Sequence, residues 1–300
     1  MSIRRISLGT AQLGAAYGIA NRGGTPSAET ANEILTVALD AGIRHIDTAP
    51  IYGEAEERIG RFVRECGLGD TFEICTKLSR LDDDSSSPKI EDSVYRSIGA
   101  SLEKLAVPVL SEVLIHDVEL LNRYGRELID ALLLARERGW LKKIGVSVYR
   151  PEDLPLLDEF PELEIVQHPL SVFDQRLLDS GCLEKLKSNG CIVQARSVFL
   201  QGLATLSAEE LPREVAHARD PLSKYRELLS DSELTIEEAA VLFVMSTDVD
   251  RVVIGTETAA QLRMNIDAIS KSMPEELFQR LRTAFPDISE QVIDPRRWSK

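Results

Sequence analysis

Four polar side chains stand out by type and spacing. Asp47 ends a β-rich run at 44–47 and is followed by Thr48, Ala49, Pro50, Ile51, Tyr52 and Gly53. Lys77 ends a run at 73–77, and His116 ends one at 112–116. A phenol, with an ordinary pKa near ~10, is a poor acid–base group at neutral pH. An ammonium beside it favours the phenolate and draws that pKa down. A carboxylate beside the lysine holds it charged and in place, and a histidine across the pocket can donate a hydrogen bond to a substrate oxygen. Taken singly, each has a plainer role: the aspartate as a cap or turn residue, the lysine snorkelling to water, the tyrosine packing. Taken together, Asp47, Tyr52, Lys77 and His116 make a proton donor with a polariser, suited to a carbonyl that accepts a hydride.

Such a set works only if the ends of several strands meet. Eight β-rich runs recur along the chain, at 5–8, 44–47, 73–77, 112–116, 143–148, 165–168, 191–196 and 251–255. Between them lie stretches of helical period. Ala31, Ile34, Leu35 and Ala38 fall at i, i+3, i+4 and i+7, as do Ile59, Phe62, Val63 and Cys66, and Leu128, Ala131, Leu132 and Ala135. Each set makes one apolar stripe that can cover a sheet. Ala41-Gly42, Arg138-Gly139 and Asn189-Gly190 read as helix stops just before a strand. Eight such units predict a (β/α)₈ TIM barrel, whose strand ends converge on one mouth. The competitor is a doubly wound open sheet, whose first turn carries GxGxxG. Residues 9–14 read GTAQLG and lack the second glycine.

Residues 274–285 predict one extra C-terminal helix, followed by a tail ending near Trp298, and no linker divides residues 1–300 into separate domains. The polar stretch 82–88 (DDDSSSP) reads as a surface loop, and 199–232 as a long interruption after the seventh strand, a lid or substrate-loop candidate at the mouth. The loop 12–25 is glycine-rich, but no Gly-Lys-Ser/Thr ends it as in a phosphate-cradling loop. Its Tyr17 is a candidate substrate wall, and Phe199 and the Trp298 tail are further candidates.

Composition narrows the function class. The 300 residues carry 35 Lys+Arg against 49 Asp+Glu, a formal charge of −14. That balance argues against nucleic acid or an anionic membrane as partner. No apolar run reaches the ~18 residues of a membrane helix, and the N-terminal MSIRRISL has no apolar stretch behind its arginines, so no signal peptide is expected. Cys66, Cys75, Cys182 and Cys191 form no CxxC pair, which predicts reduced thiols and a cytoplasmic protein. His45, His116, His168 and His217 show no metal-ligand spacing, so no metal is expected. The sequence carries no signal for oligomeric state.

The string Asp-Thr-Ala-Pro-Ile-Tyr-Gly at 47–53, then Thr76-Lys77, His116, Gly145-Val146-Ser147 and Ile165-Val166-Gln167, resembles the aldo-keto reductases. The likeness runs in the family's order from about residue 6 to about residue 269. It implies a (β/α)₈ barrel that binds an extended nicotinamide dinucleotide without a Rossmann domain. It further implies Tyr52 as general acid in carbonyl reduction, Lys77 and Asp47 tuning it, and His116 orienting the carbonyl. Ser147 and Gln167 match positions that hold the nicotinamide carboxamide, and Ser197 a pyrophosphate contact. The segment 254–266 (IGTETAAQLRMNI), with Gly255, Thr256, Glu257, Gln261 and Asn265, resembles the part that grips the adenosine end.

This chain also departs from the family. Val148 stands where an asparagine usually follows the serine. Arg196 stands where an aromatic often stacks on the nicotinamide; its plane can stack, yet it adds charge beside a ring that is cationic when oxidised. Gln261 falls where an arginine often sits, and Glu257 lies where a basic residue often meets a 2′-phosphate. Arg263, one turn into the helix, is the remaining candidate for that phosphate; weighted by the resemblance, NADP(H) is expected over NAD(H), with NAD(H) the alternative. The substrate expected is a small-molecule aldehyde or ketone, sugar-derived in the narrower reading. Two other functions compete. A Schiff-base aldolase would use Lys77 as nucleophile, but needs a lysine of depressed pKa rather than one held charged by Asp47. A non-enzymatic nicotinamide-binding, redox-sensing subunit would not need the complete tetrad.

Overall fold

The β-rich runs close into one cylinder in a computed structural model that describes residues 2–78, 81 and 90–298. Strands β1 (Ile6–Gly9), β2 (His45–Asp47), β3 (Glu73–Leu78), β4 (Leu110–Ile115), β5 (Leu141–Ser147), β6 (Ile165–Pro169), β7 (Ile192–Arg196) and β8 (Arg251–Gly255) pair in chain order. All pairs are parallel, and β8 returns to β1 with Gly255 opposite Gly9. Every expected run lies on one strand, with ends differing by up to two residues. β4 and β5 begin earlier than expected because Leu110 pairs with Leu141. His116 falls just past β4, its backbone N–H still donating to the Leu78 carbonyl at 3.0 Å. The stretch 82–88 lies outside the described residues.

The helices form where the apolar stripes predict them. The helix Ala28–Asp40 starts at Ser27, whose hydroxyl accepts from the Thr30 N–H at 3.1 Å, and it buries Ala31, Ile34, Leu35 and Ala38. The helix Ala55–Cys66 buries Ile59, Phe62 and Val63, whereas Cys66, expected on the same stripe, is exposed in the last turn. The helix Val118–Glu137 buries Leu128, Ala131, Leu132 and Ala135. Between β5 and β6 only a 3₁₀ segment, Pro151–Glu159, forms; Pro155 inside it has no N–H to give an α-helical ladder. The extra helix is Glu275–Ala284, followed by a short turn of helix, Glu290–Ile293. The segment 199–232 is more ordered than an open loop. It holds the 3₁₀ segments Leu200–Thr205 and Arg213–Ala218 and the α-helix Arg219–Leu228, anchored by buried Leu222 and Tyr225.

Side chains alternate along each strand. One set, including Leu8, Ile46, Ile74, Val113, Ile144, Val146, Val166, Val193 and Ile254, joins the apolar core under the helices. The set facing the barrel axis is largely polar: Ser7, His45, Asp47, Lys77, Glu112, Gln167 and Gln194 are all buried there. Barrel interiors are more often filled by branched apolar residues. Here Cys75, Leu114 and Ile165, with Ile192, form a small apolar cluster of their own. A buried polar interior is stable only when hydrogen-bonded, and these side chains bond to one another across the barrel.

Candidate active site

Asp47 and Lys77 point inward from the C-terminal ends of adjacent strands. Lys77 Nζ donates to both Asp47 carboxylate oxygens at 2.8 Å and to the Thr48 carbonyl at 2.9 Å. The same nitrogen lies 5.3 Å from the Tyr52 ring centroid. The Tyr52 and His116 rings meet edge to face, centroids 6.1 Å apart and planes at 84°. Two glycines set the tyrosine's loop against the loop after β1. A Cβ at Gly14 would lie 1.8 Å from the Tyr52 carbonyl oxygen, and one at Gly53, where φ is +59°, would lie 2.2 Å from the Gly14 oxygen. The four tetrad candidates thus meet at one mouth.

Their electrostatics differ from the simplest expectation. Burial raises the Tyr52 pKa; the Lys77 ammonium lowers it, as foreseen, but burial outweighs the lysine and Tyr52 stays above its ordinary value. The phenol is therefore protonated, the form a proton donor needs. Burial disfavours charge on Lys77, yet the Asp47 carboxylate more than offsets this and raises its pKa. A lysine so held is a poor nucleophile, which argues against a Schiff-base role. Burial first, then the charges of Lys77 and Arg196, pull His116 down to about 3. It is a neutral imidazole at pH 7, able to donate one hydrogen bond without becoming a competing acid.

A cleft of about 540 Å³ opens over this mouth, lined by the tetrad candidates together with Tyr17, Ser147, Gln167, Arg196, Ser197, Phe199, Gly255, Thr256, Glu257, Gln261 and Asn265. Of the candidate residues, Arg263 and Trp298 lie apart from it. Arg263 sits in a separate shallow depression with Asp40 and Asp267. The Trp298 indole donates instead to the Gln291 carbonyl at 2.9 Å. Residues two apart on an α-helix point about 200° apart; with Asn265 turned inward to the cleft, Arg263 is carried to the other side, whereas Gln261 shares the Asn265 face.

The departures at 148 and 196 have a geometric outcome. Val148 follows inward-facing Ser147, so its side chain is fully buried on the helix side, and only its carbonyl, accepting from Arg196 Nη2 at 3.1 Å, turns toward the cleft. Arg196 also donates to the Ser147 and Ser197 hydroxyls at 3.3 and 3.2 Å. Its guanidinium carbon lies 4.1 Å from the ring centroid of Tyr149, whose ring is also met by Arg296 at 3.7 Å. Tyr149, Gln12, Gln201 and Glu237 line the cleft without having been read as candidates. Tyr149 had a signal, being two residues past an inward serine at a strand end; the others depend on loop packing. The loops after β1 and β7 meet above the mouth, Ile19 N–H donating to the Gln201 carbonyl at 2.9 Å. Ser197, Leu200 and Gln201 all adopt positive φ there, a strained backbone of the kind found at ligand sites.

The cleft suits an elongated polar ligand. The Thr256 hydroxyl is buried at its wall without a hydrogen-bond partner among the described residues, and the Ser147 hydroxyl, an acceptor for Arg196, keeps its own proton to donate. A nicotinamide dinucleotide offers acceptors for both along its length, so the residues present fit that cofactor.

Comparison with known proteins places this arrangement in context. A family model described as "Aldo/keto reductase family" matches residues 5–285. A D-threo-aldose 1-dehydrogenase from a Pseudomonas species is 27% identical over 319 residues, covering 89% of this chain and 92% of the relative. D-arabinose 1-dehydrogenase from Saccharomyces cerevisiae is 25% identical over 265 residues, covering 81% and 77%. Among solved structures, an aldo-keto reductase from Bacillus halodurans in its holo form superposes with a TM-score of 0.76 at 19% identity, covering 98% of this chain and 95% of that one. A glycerol dehydrogenase from Gluconobacter oxydans gives 0.71 at 21% identity, covering 97% and 94%. At these identities the two structures speak to the fold alone.

Proposed function

This chain belongs to the aldo/keto reductase family and is an oxidoreductase of carbonyl compounds using a nicotinamide cofactor, and from that premise we propose a mechanism centred on Tyr52. The observation that carries it is the buried Lys77–Asp47 pair beneath a protonated Tyr52 that faces His116 across the cleft mouth. The substrate carbonyl oxygen sits between the Tyr52 hydroxyl and the His116 imidazole. His116, neutral, donates a hydrogen bond that polarises the carbonyl; Tyr52 gives its proton to the oxygen as charge develops there. The Lys77 ammonium then stabilises the phenolate left behind, and Asp47 keeps that ammonium in place. In the reverse direction Tyr52 takes the alcohol's proton. The bound nicotinamide supplies or accepts the hydride.

Ser147 and Gln167 would hold its carboxamide, Ser197 the pyrophosphate, and Gly255, Thr256, Gln261 and Asn265 the adenosine end. The expectation of NADP(H) over NAD(H) came from the resemblance, with Arg263 as its one candidate phosphate contact; Arg263 lies away from the cleft. Two of the carboxylates lining the cleft, Glu237 and Glu257, repel a 2′-phosphate and can accept from a ribose hydroxyl; they support NAD(H). The names of the two relatives, and the polar cleft wall, support an aldose or similar sugar-derived carbonyl as substrate. Tyr17 and Phe199 would form the substrate wall. The four unpaired thiols fit a cytoplasmic protein, in which we read residues 1–300 as one working unit.

Titration of the protein with NADH and NADPH, followed by turnover of an aldose panel, tests this reading. Tyr52→Phe removes only the hydroxyl. It should keep dinucleotide affinity and lose about 10²–10⁴-fold in turnover, the usual share of a general acid. Retention of more than about a tenth of turnover would sink the assignment.

A further inference from the structure

The inward-facing polar groups form one hydrogen-bonded line from the mouth down through the barrel. Gln167 Nε2 donates to Asp47 Oδ1 at 2.7 Å and to Gln194 Oε1 at 3.1 Å. Gln194 Nε2 donates to Glu112 Oε2 at 2.7 Å. Glu112 also pairs with His45 at 3.0 Å and with Arg251. Asp47, Gln167, Gln194 and Glu112 are each 4% exposed or less.

The direction of this line is dictated at both ends. An ionised carboxylate only accepts, so Glu112 and Asp47 each demand an N–H. Glu112 draws the amide nitrogen of Gln194, which turns Gln194 Oε1 toward Gln167. Asp47 takes one hydrogen of the Gln167 amide, and Gln194 Oε1 takes the other. Both Gln167 hydrogens are thereby committed. Its Oε1 is left as the only group it can offer a ligand in the cleft, and that group can only accept.

We propose that Glu112 and Gln194 are positioning residues for the reductase site. They lock the Gln167 amide with its acceptor toward the donor –NH₂ of the nicotinamide carboxamide, and they hold the Asp47 carboxylate turned onto Lys77. Neither touches the ligand. This rests on the reading of the cleft as a nicotinamide dinucleotide site. Glu112→Gln replaces an obligate acceptor by an amide that can donate, so Gln194 is free to turn its nitrogen toward Gln167 and no longer takes the second Gln167 hydrogen; Asp47 alone then holds that amide. Gln194→Met cuts the line but leaves Glu112 paired with Arg251 and His45, so the fold is not at stake.

Calorimetric titration with NADH and with ADP-ribose, which lacks the nicotinamide, separates positioning from general structure. Both variants should bind NADH about tenfold more weakly, the loss of one hydrogen bond, and should bind ADP-ribose as the unaltered protein does. An unchanged NADH to ADP-ribose affinity ratio in Gln194→Met would overturn the proposal, whether both affinities hold or fall together. If the unaltered protein bound neither ligand, the reductase reading itself would fall, and this inference with it.

Discussion

The barrel encloses two buried carboxylates with opposite surroundings. Asp47, at the end of β2, is bound by Lys77 directly beneath the cleft. Glu112, near the start of β4, is bound by Arg251 and His45 at the other end of the cylinder. Both are paired and hydrogen-bonded, as burial of charge requires. They differ in what lies next to the pair. The field of Lys77 falls on two titratable rings at the mouth, Tyr52 and His116, and moves both. At the other end Arg251 also meets Glu73, and its charge is absorbed among carboxylates. Burial pushes the Glu112 carboxyl up, but His45, Arg251 and Gln194 outweigh it and hold it down at about 2. The comparison teaches that a buried ion pair takes part in proton transfer only beside a titratable group that a ligand can reach; elsewhere it holds and aligns its neighbours.

Breaking each pair in turn tests that contrast. The largest effect belongs to Lys77→Met. Without the ammonium the phenolate is unsupported, and turnover should fall at least about a hundredfold while NADH affinity stays within about threefold. Steady-state kinetics and fluorescence titration measure both, and turnover above a tenth of the unaltered protein's would erase the distinction. Arg251→Met should spare turnover, although both substitutions leave a buried carboxylate without its cation. Removing one partner of a buried pair costs about 3 kcal/mol at the low end, and Glu112 keeps its bonds to His45 and Gln194. Urea unfolding should therefore lose about 2–3 kcal/mol, with turnover within a few-fold. A rate loss matching that of Lys77→Met would mean that both ends of the barrel act on the chemistry alike.

The smallest effect is in the acid response. His116 and His168 both have folded pKa values of about 3, depressed mainly by burial. Unfolded imidazoles take up protons near ~6.5, so the unfolded state binds more protons below that pH and stability falls from pH 7 to pH 5. One such histidine contributes about 1–2 kcal/mol of that loss. Glu112 has the other window: its folded pKa is about 2 against ~4.3 unfolded, so its stabilisation is complete above the unfolded value and is lost as pH falls toward 2. Urea titrations at pH 7 and 5 should show a flatter pH response in His116→Gln and an unchanged one in Glu112→Gln. A flattened response in Glu112→Gln would place the acid sensitivity at the wrong end.

Much of this molecule was legible in the sequence because its signals are local. Strand alternation and helical period operate over four to ten residues, and the three glycine stops at 42, 139 and 190 all take positive φ. Once eight strands were counted, barrel closure carried Asp47, Tyr52, Lys77 and His116 to one mouth without further information. Helical phase also separates Asn265 from Arg263: two residues apart, they cannot both face the cleft. The long-range polar contacts were not available. The Gln167–Asp47 bond joins residues 120 apart, the Gln194–Glu112 bond residues 82 apart, and the Glu112–Arg251 pair residues 139 apart. A lone Glu or Gln in a strand reads as an outward, solvated side chain until shear and register set which layer of the interior it enters. The same holds for the meeting of the loops after β1 and β7, 182 residues apart at Ile19 and Gln201, with backbone N–H and carbonyl as partners. Residue type and period decide which face of an element a side chain takes; only closure of the barrel decides what stands opposite it.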